Sequence, residues 1–111
     1  MNWITLSSPE QIAAIKAASY QQPQVIFKHS TRCSISSMVL NRLGRSDMPE
    51  KIDFYLLDLL SYRDISNEIA STFDVYHESP QVLLIKNGEC IYDESHQGIQ
   101  MDEIIAQAAA A

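Results

Sequence analysis

The sequence predicts an α/β fold, a mixed central sheet in β-α-β-α-β-α-β-β-α order with helices on both faces. Three observations carry this expectation. Apolar runs rich in Val, Ile, Leu and Phe alternate with segments whose apolar residues recur at helical spacing. Strands separated by helices pair in parallel through right-handed crossovers. The last two runs flank Asn87-Gly88, a dipeptide suited to a two-residue type I′ turn, and so close as an antiparallel hairpin.

The elements follow in order. Residues 3–6 form a short apolar piece able to pair as an edge strand. In "SSPEQIAAIKAAS" Ser8 can cap a helix, Pro9 suits its first position and Glu10 the positive end of its dipole. Ile12, Ile15 and Ala18 give that helix one apolar face, and "QQP" ends it. Residues 25–27, followed by Lys28 and His29, read as a buried strand. From Cys33 the pattern turns helical through Ile35, Met38, Val39 and Leu43, with Gly44 at the stop. "RSDMPEK" reads as a loop and residues 52–60 as a second strong strand. "SYRDISNEIASTFDV" is a third amphipathic helix, with Ile65, Ile69, Ala70 and Phe73 facing inward. "YHESP" is a loop, residues 81–86 and 89–93 make the hairpin, and "MDEIIAQAAAA" closes the chain as a helix.

The length, 111 residues, fits one domain spanning residues 1–111. A formal charge of -6, with eight scattered basic residues, argues against a nucleic-acid partner, which needs clustered Lys and Arg. No basic-then-apolar leader opens the chain and no apolar run reaches membrane-spanning length, so the expected setting is the cytoplasm, with no membrane partner. Thiols stay reduced there, and a structural disulfide between Cys33 and Cys90 is not expected. A metal site is not expected either: there is no CxxC, and His29, His77 and His96 are dispersed.

Chemistry points to "FKHSTRCSIS". Cys33 falls where a strand ends and a helix begins. Backbone N–H groups and the helix dipole at that place favour thiolate, the nucleophilic form, and Arg32 adds positive charge. This is the setting of thiol–disulfide exchange. One helical turn on, where a dithiol enzyme has its second cysteine, stands Ser36. Its hydroxyl can hydrogen-bond the sulfur but cannot resolve a mixed disulfide, so chemistry at Cys33 would be monothiol. Ser36 would serve equally well as a helix-start serine satisfying backbone groups. His29 could polarise the thiol or be a structural, hydrogen-bonded histidine; His96 has no evident role, and Cys90 reads as a packing residue on the hairpin.

"FKHSTRCSIS", "YHESPQ" and "NGE" together resemble the monothiol bacilliredoxin family, small thioredoxin-like bacterial proteins of the bacillithiol system. The resemblance runs from Trp3 to the last helix. The family's Lys-His-Ser lead-in falls on Lys28, His29 and Ser30. Its Thr-Cys-Pro-Ile-Ser motif falls on Cys33, Ile35 and Ser36, and its His-Glu-Ser-Pro-Gln segment on His77, Glu78, Ser79, Pro80 and Gln81. Arg32 and Ser34 depart from the usual Thr and Pro, leaving an extra backbone N–H near the sulfur. The resemblance implies a thioredoxin-like fold with Pro80 cis beside the thiol and Ser79 offering its backbone to substrate. It implies Cys33 and Ser36 as catalytic residues, and Arg32, Ser34, His77, Glu78, Ser79 and Pro80 as substrate contacts. It also implies no bound cofactor, bacillithiol as thiol co-substrate, and S-thiolated proteins as partners. Three rivals differ in what they need. An iron–sulfur monothiol glutaredoxin uses Cys-Gly-Phe-Ser where this chain has Cys-Ser-Ile-Ser. A thioredoxin-fold arsenate reductase wants an arginine soon after the cysteine, and the first is Arg42. A non-catalytic redox sensor or interaction module would keep Cys33 without turnover.

Overall fold

In the two most apolar strands, successive side chains serve two different cores, because side chains alternate across a strand. The computed structural model describes residues 3–46 and 49–110. Its elements are β1 (Ile4–Thr5), α1 (Glu10–Ala18), β2 (Gln24–His29), α2 (Ser34–Gly44), β3 (Asp53–Asp58), α3 (Arg63–Phe73), β4 (Gln81–Lys86), β5 (Glu89–Ser95), a 3₁₀ turn (His96–Gly98) and α4 (Met101–Ala110). Val25 and Phe27 of β2 and Val82 and Leu84 of β4 pack with Val39 and Leu43 of α2 and Ile104 of α4. Ile26, Leu83 and Ile85 pack on the opposite side with Ile12 and Ile15 of α1 and Ile65 and Ile69 of α3. Helices therefore cover both faces, and β2 and β4 read as continuous buried runs, as central strands must.

The five strands lie in the order β1-β3-β2-β4-β5. β3 pairs in parallel with β1 and β2, whereas β4 runs antiparallel to β2 and β5 antiparallel to β4. The element order matches the sequence expectation. The hairpin, however, puts only β5 at the edge: β4 is an interior strand beside β2.

Local differences have local causes. β2 runs on through Lys28 and His29, both buried. The α1 start is held by Gln11, whose Oε1 accepts the Ser7 and Ser8 N–H groups at 2.8 and 3.0 Å, and not by a Ser8 side-chain cap. In α2 the face toward the sheet includes Ser36 and leaves Met38 exposed. The 3₁₀ turn had no counterpart in the sequence pattern, and part of the "RSDMPEK" loop lies outside the described residues.

Asn87 and Gly88 both take positive φ, 54° and 80°, as a type I′ turn demands. The turn docks on the end of α1, where Ser19 O accepts the Asn87 N–H and Ser19 Oγ the Gly88 N–H. A Cβ on Gly88 would collide with the Tyr20 hydroxyl as well as resist the backbone angle. Gly88→Ala should therefore cost about 1–2 kcal/mol in urea unfolding, with m unchanged.

Candidate active site

Lys28 of β2 stands opposite Gln81 of β4, so the end of β2 and the start of β4 lie side by side. The chain leaves β2 at His29, turns so that Cys33 N–H donates to Ser30 O at 3.2 Å, and enters α2. Cys33 is the N-cap residue of α2, with extended backbone (φ -106°, ψ 118°) and no side-chain capping bond. Its carbonyl accepts the Ser37 N–H, and its side chain is half-buried. Just before the neighbouring strand β4 the Ser79-Pro80 peptide is cis. Pro80 O accepts the His96 N–H at 2.9 Å, which draws the 3₁₀ turn to the same end of the sheet.

Ser36, one turn into α2, is wholly buried. Its Oγ accepts the Ser30 N–H at 3.0 Å and lies 2.7 Å from His29 Nδ1. With one lone pair taken by Ser30, the hydroxyl keeps its proton to donate to Nδ1 in the Nε2–H tautomer and a second lone pair to accept from Nδ1–H in the other, so the contact holds the ring in either form. Burial holds the His29 pKa down, against an opposing pull from Asp58, and favours the neutral ring. Among the described residues, the Ser36 hydroxyl has these two partners, and Cys33 is not one of them. Ser36→Ala would strand the Ser30 N–H and His29 Nδ1 in the interior. The expected loss is about 2 kcal/mol, seen as a lower urea midpoint.

The loop before Pro80 is held from beneath. Gln81, buried at the start of β4, donates from Nε2 to Tyr76 O at 2.9 Å and accepts the Glu78 N–H at 3.4 Å. Lys28 is fully buried on β2, and its Nζ lies 3.3 Å from both Ser66 O and His77 Nδ1. Ser66 Oγ also sits 3.3 Å from His77 Nδ1. The rest of the His77 side chain is exposed. Its pKa is lowered by burial of the bonded edge, then by the charges of Lys28 and Arg63, with Glu78 opposing. Glu78 Oε2 is 3.9 Å from His96 Nε2, both exposed. Ser79 Oγ is buried without a hydrogen-bond partner among the described residues.

Burial pulls the Lys28 pKa from 10.5 down to about 8. Between those values the folded protein binds fewer protons than the unfolded chain, so this group makes stability rise with pH across that window. The whole effect is at most about 3 kcal/mol. Cys90 acts in the opposite sense, because burial raises its pKa from 9.0 to about 11. The difference in unfolding free energy between wild type and Lys28→Met isolates the lysine. It should narrow steadily from pH 8 to pH 10.5.

The remaining sequence candidates spread around this end. Arg32 and Ser34 are exposed on either side of Cys33. A groove of about 650 Å³ runs along the outer face of α2, lined by Ser34, Ser37, Met38, Asn41, Arg42 and Arg45. Arg42, the arginine an oxyanion-binding reductase would need, donates from Nη2 to the carbonyls of Gln97 and Ile99. Cys90 is on edge strand β5, with its thiol on Tyr92 O. Both cysteines are free. Among the described residues, no group of three His, Cys, Asp or Glu side chains could hold a metal, and no helix is long and apolar enough to cross a membrane. Sequence reasoning gave Lys28 and Gln81 no role at the site. A lysine inside a strand of Val, Ile and Phe was the available signal for the first.

Comparison with known proteins agrees with this geometry. The family model described as Monothiol bacilliredoxin BrxC matches residues 4–104. A solved structure described as a candidate oxidoreductase with a thioredoxin fold is 31% identical, with TM-score 0.81, covering 96% of this chain and 92% of that one. Thioredoxins from Malassezia sympodialis and Trypanosoma brucei brucei share the fold at 21% and 16% identity. Their TM-scores are 0.72 and 0.75, covering 98% and 99% of this chain and 90% and 93% of theirs. Family and fold together support a thiol–disulfide redox role. The chain belongs to the monothiol bacilliredoxin family.

Proposed function

We propose that this protein is a monothiol oxidoreductase that removes bacillithiol from mixed disulfides on other proteins. One observation carries the reading. The N-cap residue of α2 carries a half-buried thiol, and the position one turn on is a wholly buried serine already bonded to Ser30 and His29. One sulfur, with no second thiol beside it, suits capture and release by an external thiol.

In the first step the Cys33 thiolate attacks the bacillithiol sulfur of the mixed disulfide. A new disulfide forms between Cys33 and bacillithiol, the old one breaks, and the client leaves as a thiolate. In the second step a free bacillithiol thiolate attacks that adduct, giving bacillithiol disulfide and restoring the Cys33 thiolate. Overall the client thiol is restored, one free bacillithiol is oxidised, and it leaves joined to the captured one as bacillithiol disulfide. Arg32, Ser34, His77, Glu78, Ser79 and Pro80 border the incoming disulfide, and the cytoplasm supplies the reduced thiol. No bound cofactor takes part.

The test is intact-mass spectrometry after incubation with oxidised bacillithiol, oxidised glutathione and oxidised coenzyme A separately, followed by the matching reduced thiol. A reversible adduct on Cys33, formed fastest with bacillithiol, is expected. Labelling of Cys33 by alkylating reagents without any such adduct would replace this reading with that of a sensor or binding module.

A further inference from the structure

A buried lysine needs a reason, because the ammonium loses its hydration and no carboxylate offsets that loss. Lys28 lies wholly inside, and among the described residues its ammonium meets a backbone carbonyl of α3 and a ring nitrogen of the loop before Pro80. An apolar side chain would fill the same space between β2 and α3 without that penalty. What the lysine supplies is a charged donor that cannot accept, aimed at His77 Nδ1 beside the Ser66 hydroxyl, which can do either. A lysine can only donate, so Nδ1 must accept, and the neutral ring carries its proton on Nε2. The exposed edge of His77 then offers an N–H, not a lone pair, to whatever reaches this end of the sheet.

We propose that Lys28 is a positioning residue for substrate recognition: it fixes the ring and tautomer of His77, so that Nε2–H donates to a carboxylate on the low-molecular-weight thiol half of the incoming mixed disulfide. This rests on the exchange reading above and names which part of the substrate the Pro80 loop recognises. The charged groups acting on His77 are Lys28 from β2, Arg63 from α3 and Glu78 from its own loop. Two of the three are cationic, which favours an anionic ligand.

The experiment compares one reporter peptide carrying either bacillithiol or cysteamine in mixed disulfide, the second lacking any carboxylate. Lys28→Met should raise KM for the bacillithiol peptide by about ten- to a hundredfold, the worth of one hydrogen bond to a charged group, with kcat within about twofold. KM for the cysteamine peptide should not move. His77→Ala should reproduce the effect and add little to Lys28→Met, whereas His77→Gln, which keeps a donor near Nε2, should recover most of it. Nitrogen-15 spectra of the whole protein should show neutral His77 as the Nε2–H tautomer, with its titration midpoint moving up in Lys28→Met. Equal KM changes for both peptides, or an Nδ1–H tautomer in wild type, would overturn the proposal and leave the exchange reading standing. Absence of any Cys33 adduct in wild type would overturn the exchange reading instead, and the tautomer measurement would still decide the Lys28–His77 pairing. The His77 variants carry the test if Lys28→Met does not fold.

Discussion

Cys33→Ser should reduce release of thiol from a mixed disulfide to the background rate, a loss of at least about a thousandfold, while leaving the fold as stable as before or slightly more so. The two halves of this expectation have separate causes. A serine hydroxyl is not ionised near neutral pH and cannot attack a disulfide sulfur. Serine is, however, a preferred N-cap, and Cys33 already holds extended N-cap geometry without using its side chain as a cap. The substitution can therefore add a capping bond worth up to about 1 kcal/mol. Mass spectrometry of the released thiol checks the first half and urea unfolding the second. Cys90→Ser is the companion measurement. That thiol lies on β5, and burial raises its pKa to about 11, so turnover should stay within about twofold of wild type. Turnover that survived in Cys33→Ser and vanished in Cys90→Ser would move the chemistry to the edge of the sheet.

Phe27→Ala should destabilise the protein by about 3–5 kcal/mol, a large share of the stability of any domain this size. Phe27 is fully buried on the strand between β3 and β4. Its ring lies 6.0 Å from that of Trp3 and stacks on His29, also at 6.0 Å between centroids. Truncation removes the ring from the α2–α4 core and leaves a cavity that a central strand cannot collapse to fill. The thermal midpoint should fall by on the order of 10–20 °C. Exchange activity should weaken even where the variant stays folded, because His29 loses the ring on which it stacks while it positions Ser36 beneath the start of α2. A midpoint shift of only a degree or two would show that Trp3 and its neighbours can close the gap.

How much of this was legible depends on the range of each interaction. The element order and the type I′ turn were readable because apolar periodicity and Asn87-Gly88 are local. The position of Cys33 followed from the same periodicity. Met38 and Ser36 exchange their expected places because α2 meets His29 at that level, and a polar partner on β2 draws the serine inward. Lys28 and His29 looked like the polar end of a strand. They remain inside it because each finds a partner on another element: Ser66 and His77 for the lysine, Ser36 for the histidine. Lys28 and His77 are 49 positions apart, and no local pattern announces such a pair. Gln11 took the capping role expected of Ser8 because its longer side chain reaches back to two backbone N–H groups at once.

The sheet order has a consequence for a chain emerging from the ribosome. β2, which leads into Cys33, is flanked by β3 on one side and by β4 on the other, and β4 begins only at Gln81. Until that late strand is made and has folded back, the nascent polypeptide carries its nucleophile on an open edge, without the proline segment or the lysine–histidine contact beside it. A product truncated before the hairpin would keep His77 and Pro80 in its sequence but lack β4, the strand that seats them beside β2. On the proposed reading, the surface that recognises substrate is thus completed last, when the C-terminal third of the chain arrives.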